Sequence, residues 1–273
     1  MHRLSDRTIY ITGASSGLGL ATARLAAQAG AHVALLVFDQ PEASLQAVEA
    51  ARARPEQQVA VRVLDVRDAA AVGATIDELA RHWRRPDALL HCAGLPGGLP
   101  FEQLGAAEFD RVIQVNLYGT RHVAAAALPW LEQTRGRLLL VASLGGLVGC
   151  YGYTSYGASK FGVVGLAEAL RYEYQPRGVS VGIFCPPEFP SGLVELEKSQ
   201  THPASKLLKK MGGSISQAQA ARAALAGLAS RRFRIVPGLM AKLLLLQLRL
   251  LPTALVHAVG DMQVRQVLRR HGR

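Results

Sequence analysis

Cysteines, acidic residues and aromatics are all scarce in this chain, and each shortage excludes something. The three cysteines, Cys92, Cys150 and Cys185, form an odd set with no close pair, which argues against a disulfide framework and suits a reducing cytoplasm. Adjacent His91 and Cys92 lack the second ligand pair that a metal site needs, so no metal is expected. Asp and Glu together number 20 against 31 Lys and Arg, a formal charge of +11. That sign raises nucleic acid as a partner. Aromatics make up only 6%, however, and no recognition motif or basic-aromatic interleaving accompanies the charge, so none is expected. No apolar run reaches the roughly 20 residues of a bilayer-spanning helix. Met1-His2-Arg3-Leu4-Ser5-Asp6 runs straight into strand-like sequence with no signal-peptide pattern. There is no internal repeat and no low-complexity linker.

What the chain does have is hydrophobic residues, 49% of 273, enough for a large core. The simplest division is one α/β domain spanning residues 1–273. Thr8-Ile9-Tyr10-Ile11 predicts a strand, Ala21 to Ala29 a helix ending at Gly30, and Ala31 to Phe38 a second strand, which completes a βαβ unit. Further short buried strands are expected around 59–64, 88–91, 137–141 and 179–184, with a last one near 233–236. Helical patterns separate them, predicting a Rossmann-like doubly wound parallel sheet with helices on both faces.

Thr12-Gly13-Ala14-Ser15-Ser16-Gly17-Leu18-Gly19 lies between the first strand and helix. Glycines there let backbone approach a pyrophosphate, and the helix N-terminus supplies free N–H donors and partial positive charge. The spacing is not G-x-G-x-x-G, and glycine would also serve a turn that merely needs positive φ.

Tyr156 and Lys160 stand four apart, one helical turn on the same face. A fixed ammonium beside a phenol favours phenolate and draws its pKa down from about 10, equipping Tyr156 as a general acid or base. Ser143 follows the apolar run 138–142, at the C-terminal end of a strand, where open α/β sheets bind ligands.

Taken in order, these motifs resemble the short-chain dehydrogenases/reductases over residues 6 to 191. The turn from Thr12 to Gly19 matches the family's cofactor turn, with Gly13, Ser15, Ser16, Gly17, Leu18 and Gly19 as its contacts. Leu64-Asp65-Val66 matches the strand end where an aspartate meets adenine. His91-Cys92-Ala93-Gly94 stands where the family has Asn-Asn-Ala-Gly, Val115-Asn116 matches the helix asparagine, and Ser143, Tyr156 and Lys160 match the catalytic group. The resemblance implies Tyr156 as acid or base, Lys160 tuning it and holding the nicotinamide ribose, and Ser143 orienting the carbonyl. It further implies that Asn116 holds a water relaying protons, and that Asp65, Val66, Cys92, Ala93, Gly94 and Pro186 line the cofactor. Two departures stand out. His91 and Cys92 replace amides, so the backbone beside the cofactor is expected to be held differently. Pro186-Pro187-Glu188-Phe189-Pro190-Ser191 replaces Pro-Gly-x-Val-x-Thr, with Pro187 removing an N–H and Ser191 at the carboxamide-binding threonine's position.

The implied cofactor is NAD(H) or NADP(H). Asp39, 20 positions after Gly19, suits a ribose diol and leans toward NAD, yet counting from Gly30 puts the family's acidic position on Val37. Asp39 as a solvated turn residue before Pro41 stays equally open. The segment 187–216 resembles the substrate loop of 3-ketodihydrosphingosine reductases, which implies a long-chain keto lipid. A short-chain or cyclic ketone or alcohol, or a non-catalytic cofactor sensor of the same fold, are the alternatives.

The tail, about 237–273, contains a strongly apolar stretch from Leu239 to Leu251, with Lys242 and Arg249 seven apart on one edge and Pro252 ending it. Two readings stand: docking on an anionic membrane surface, or packing on its own subunit or a partner. Members of the family pair through the helix carrying the tyrosine and lysine, and Gly157, Ala158, Gly162 and Gly165 permit close helix approach. A homodimer or homotetramer is therefore expected. The same residues would equally permit packing inside one subunit.

Overall fold

The computed structural model describes residues 4–190 and 201–271. Its sheet has seven parallel strands in the order β3-β2-β1-β4-β5-β6-β7. They are β1 Thr8–Thr12, β2 His32–Val37, β3 Val59–Val63, β4 Ala88–His91, β5 Arg137–Val141, β6 Ser180–Phe184 and β7 Arg234–Ile235. The order reverses between β1 and β4, so the chain leaves a crevice at their C-terminal ends. The doubly wound parallel sheet expected from the sequence is present. Only the outer strand differs, reduced to two residues that pair with β6 alone.

Alternation along each central strand assigns its side chains to two helix layers. Ile9, Ile11, Val33, Leu35 and Leu90 face one layer, against Ala23, Ala26 and Ala27 of α1 (Gly17–Gln28). The alanines Ala220, Ala221 and Ala224 of α8 (Gln217–Leu228) complete that layer, small enough for both helices to sit close to the strands. α2 (Pro41–Glu49) contributes Val48 to the same cluster.

Tyr10, Leu36, Leu89, Leu138 and Leu140 face the opposite layer. There they meet α3 (Ala69–His82), α5 (Gly119–Thr134) and α6 (Thr154–Tyr174) through residues such as Ile76, Leu128 and Val163. Between α4 (Ala106–Ile113) and α5, residues Gln114–Tyr118 form a wider π turn that carries Asn116. α7 (Pro203–Met211) then lies over the crevice, and the chain closes with α9 (Leu239–Leu250) and α10 (Thr253–His271), separated at Pro252. Helix α1 begins at Gly17, four residues before the alanine-rich run that marks it in the sequence, because the helix starts inside the glycine turn.

Candidate active site

The glycine turn leaves β1 with backbone conformations that side chains resist. Gly13 has φ +62°, and a Cβ added there would stand 2.7 Å from the Ala93 nitrogen. Gly17 has φ +54° with nothing within 4 Å, so the space above it is an open cradle. Ser16, the residue before α1, is extended and makes no side-chain cap, and no acid occupies the first turn. The leading N–H groups of α1 therefore meet the conditions for an anion, and the cradle fits the pyrophosphate of a dinucleotide.

One cavity of about 1310 Å³ runs from this turn along the C-terminal ends of the strands to α7, α9 and α10. It is lined by Gly13, Ser15, Ser16, Gly17, Leu18, Gly19, Asp39, Asp65, Val66, Cys92, Ala93, Gly94, Ser143, Tyr156, Lys160 and Pro186. Thus the structure gathers nearly all the residues singled out in the sequence. Asn116 is set apart, fully buried behind the wall. Ser191 lies outside the described residues.

Lys160 is 5% exposed, its Nζ donating to the Val141 carbonyl at 2.9 Å and lying 5.7 Å from the centre of the Tyr156 ring. Burial pushes this ammonium down to about 8. The thiols of Cys92 and Cys185 are pushed up to about 12 by loss of solvent, so they stay protonated and place no negative charge beside it. Ser143 begins a short 3₁₀ turn after β5, and its Oγ accepts the Gly145 N–H at 3.1 Å. The hydroxyl is thereby fixed in place and keeps its own proton for donation.

Asn116 ties the site together from behind. Its Oδ1 accepts the Leu95 N–H at 2.7 Å, and its Nδ2 donates to the Leu95 carbonyl at 3.0 Å and to Ser159 Oγ at 3.1 Å. Ser159 Oγ in turn donates to the Tyr156 carbonyl at 2.7 Å. A fully buried amide thus joins the loop after β4 to the turn of α6 that bears the tyrosine.

The unusual His91 has a physical account as well. Thr12 Oγ1 accepts the N–H groups of Cys92 and Ala93 at 3.2 and 3.3 Å and lies 2.7 Å from His91 Nδ1. Its own proton therefore goes to Nδ1, and the ring carries hydrogen on Nε2. Buried Nε2 has no partner among the described residues, and burial, with the Lys160 charge nearby, pushes the imidazole down to about 3. The Thr12 hydroxyl holds the backbone beside the cradle.

At the adenine end, Asp39 is exposed at the cavity rim beside Phe38, itself 65% exposed. Asp65 is held by Arg67, whose guanidinium and backbone N–H both donate to it and keep the carboxyl below its ordinary range.

Several lining residues were not evident from the sequence. Lys209 Nζ of α7 donates to Tyr153 Oη at 3.0 Å and lies 3.2 Å from Glu188 Oε1, while the Tyr153 ring meets Tyr156 edge-on at 5.9 Å. Leu208, Leu244, Leu248, Val256 and Val264 give the same cavity an apolar lining from α7, α9 and α10. The sequence marks the segments 187–216 and 239–251 that hold most of these residues, but only tertiary packing brings the individual side chains to the cavity. Of the two readings left open for the small residues of α6, Gly162 takes internal packing, since an added Cβ would stand 2.9 Å from Leu117 of the same chain.

A family model described as short chain dehydrogenase matches residues 7–201. Levodione reductase of Leifsonia aquatica is 36% identical over 206 residues, covering 74% of this chain and 76% of its own. A 3-dehydrosphinganine reductase of Arabidopsis thaliana is 34% identical over 233 residues, covering 84% of this chain and 69% of its own. The crystal structure of levodione reductase superposes with a TM-score of 0.77 at 30% identity, over 85% of this chain and 96% of that one.

Proposed function

Because the chain belongs to the short-chain dehydrogenase family, whose members work with NAD(P)(H), we propose that it interconverts a carbonyl and an alcohol at the Ser143, Tyr156 and Lys160 end of the cavity. Lys160 carries this reading: a buried ammonium one helical turn from a tyrosine on the wall of a cavity that also holds the glycine cradle. A nicotinamide bound along that cradle supplies or accepts the hydride. Ser143 donates to the carbonyl oxygen and fixes its position. Tyr156 delivers the proton to the same oxygen as negative charge develops there and becomes a phenolate, whose charge the nearby Lys160 ammonium stabilises. A positioned acid contributes roughly 10²- to 10⁴-fold. Asn116 and Ser159 act as positioning residues, holding the Tyr156 backbone; the relay water expected of Asn116 belongs to the same proposal.

For the substrate we favour a long-chain carbonyl such as a 3-keto lipid. The apolar wall supports it, since each CH₂ buried there contributes about 0.8 kcal/mol, as does the likeness to 3-dehydrosphinganine reductase. A short or cyclic ketone is the second reading, drawn from the likeness to levodione reductase. Asp39 at the rim favours the ribose diol of NAD(H) over NADP(H). The outer face of α6, where Phe161 is 47% exposed and a Cβ at Gly165 would meet open space, is the surface for a homodimer or homotetramer.

The test is oxidation of NADH and NADPH against carbonyls of increasing chain length, including 3-ketosphinganine, with Tyr156→Phe alongside. Turnover is expected to rise with chain length, and the variant to bind cofactor while losing about 10²-fold or more in turnover. Near-normal turnover by the variant overturns the chemistry. Preference for short or cyclic ketones overturns the lipid reading, and cofactor binding without any turnover points to a sensor.

A further inference from the structure

Helix α9 is apolar on two opposite sides. Ala241, Leu244 and Leu248 point inward, the first two buried and the third lining the cavity. Leu239, Leu243, Leu246 and Leu250, at i, i+4, i+7 and i+11, form an outward stripe with exposures of 71%, 43%, 51% and 71%. A helix that only closed a cavity would carry polar residues on that outer side. Helix α10 repeats the arrangement: Val256, Gly260 and Val264 line the cavity, while Leu255, Val259 and Met262 are exposed. Both helices rest on α7, the cover of the crevice, so their outward stripes lie beside the cavity and outside the sheet core.

The charges around these stripes identify what covers them. From Leu239 to His271 the chain carries Lys242, Arg249, Arg265, Arg269 and Arg270 against a single acid, Asp261. Lys242 and Arg249 lie together along one edge of the outward stripe of α9. A second copy of this face would bring five cations against five. An anionic lipid surface instead accepts leucines among its acyl chains and cations among its headgroups. No helix among the described residues is long and apolar enough to cross a membrane, so the contact is peripheral.

We propose that helices α9 and α10 dock on an anionic lipid bilayer through their outward apolar residues, so that the cavity behind them opens at the membrane surface and takes an alkyl-tailed carbonyl from the lipid phase. The docking surface stands by itself; the delivery of substrate rests on the long-chain reading.

The experiment is co-sedimentation of the full chain with phosphatidylcholine vesicles, with and without phosphatidylglycerol, over a range of salt. The variant Leu243→Asp/Leu246→Asp/Leu250→Asp is run beside it, none of these leucines lining the cavity. Wild-type protein is expected to partition onto the anionic vesicles, less so as salt rises, and the variant at least about tenfold more weakly. Turnover of a water-soluble ketone by the variant, or its far-UV circular dichroism if no ketone is turned over, is expected to be unchanged and shows that it is folded. Wild-type protein left in the supernatant, equal binding by a folded variant, or a wild-type dimer that the substitutions dissociate overturns the proposal. Wild-type binding to anionic vesicles that the folded variant loses, without preference for long-chain carbonyls, supports the docking surface and discards only lipid delivery.

Discussion

Lys160 is placed so that burial and its hydrogen bond to Val141 pull against each other. Burial disfavours the ammonium and brings its pKa to about 8, inside the working range. The ammonium is the form that stabilises the Tyr156 phenolate, so turnover is expected to hold at lower pH and fall as pH rises through about 8. Lys160→Met is expected to remove that limb and weaken cofactor binding, read from kcat/KM against pH and from cofactor titration; an unchanged profile denies Lys160 its part. His91 makes a separate prediction. Its pKa is about 3 when folded against about 6.5 when unfolded, so the unfolded chain binds the extra proton between those values and stability falls as pH drops through that window. The slope is about 1.4 kcal/mol per pH unit. His91→Asn should flatten it in urea denaturation between pH 6 and pH 4; parallel curves would show that the imidazole does not carry it. Ser143, Tyr156 and Lys160 were legible in sequence because few residue types can do their chemistry. Glu188, Lys209 and Tyr153 were not, since the Lys209–Tyr153 bond joins residues 56 positions apart and only the placement of α7 makes them neighbours.

Elements differ in how much of their role their own residues express. The central strands could be read directly, because β1, β2 and β6 are buried along their whole length and, His32 at the start of β2 apart, are mostly apolar or small. Helix α9 was visible as an apolar run ended before Pro252, but sequence periodicity does not show which of its faces meets the cavity. Leucine on both sides gives no contrast to read. The structure separates them, and each face can be tested alone. Leu248→Ser on the inner face is expected to raise KM for a long-chain carbonyl about fivefold or more, with little change for a short ketone. Equal effects on both substrates would mean that the helix supports the fold and not the alkyl chain.

Across the whole molecule, the reversal of strand order between β1 and β4 explains why distant motifs meet, since both helix layers deliver their loops to the same edge of one sheet. That much followed from the βαβ pattern. Assembly did not, because Gly162 turned out to pack against Leu117 while Phe161 and Gly165 remain on the outer face of α6. Sedimentation at micromolar concentration is expected to give a dimer or tetramer, with Phe161→Glu shifting it toward monomer; a wild-type monomer would remove α6 as an interface. The cavity also has a seam along the chain. Its cradle comes from the loops that follow β1 to β4, whereas its far wall comes from Leu144 onward and above all from α7, α9 and α10. Protein engineers can use that seam: exchanging α7 and residues 239–271 for the equivalent segments of a relative is expected to retarget the enzyme to another carbonyl while leaving the cradle, Ser143, Tyr156, Lys160 and the core packing of α8 in place.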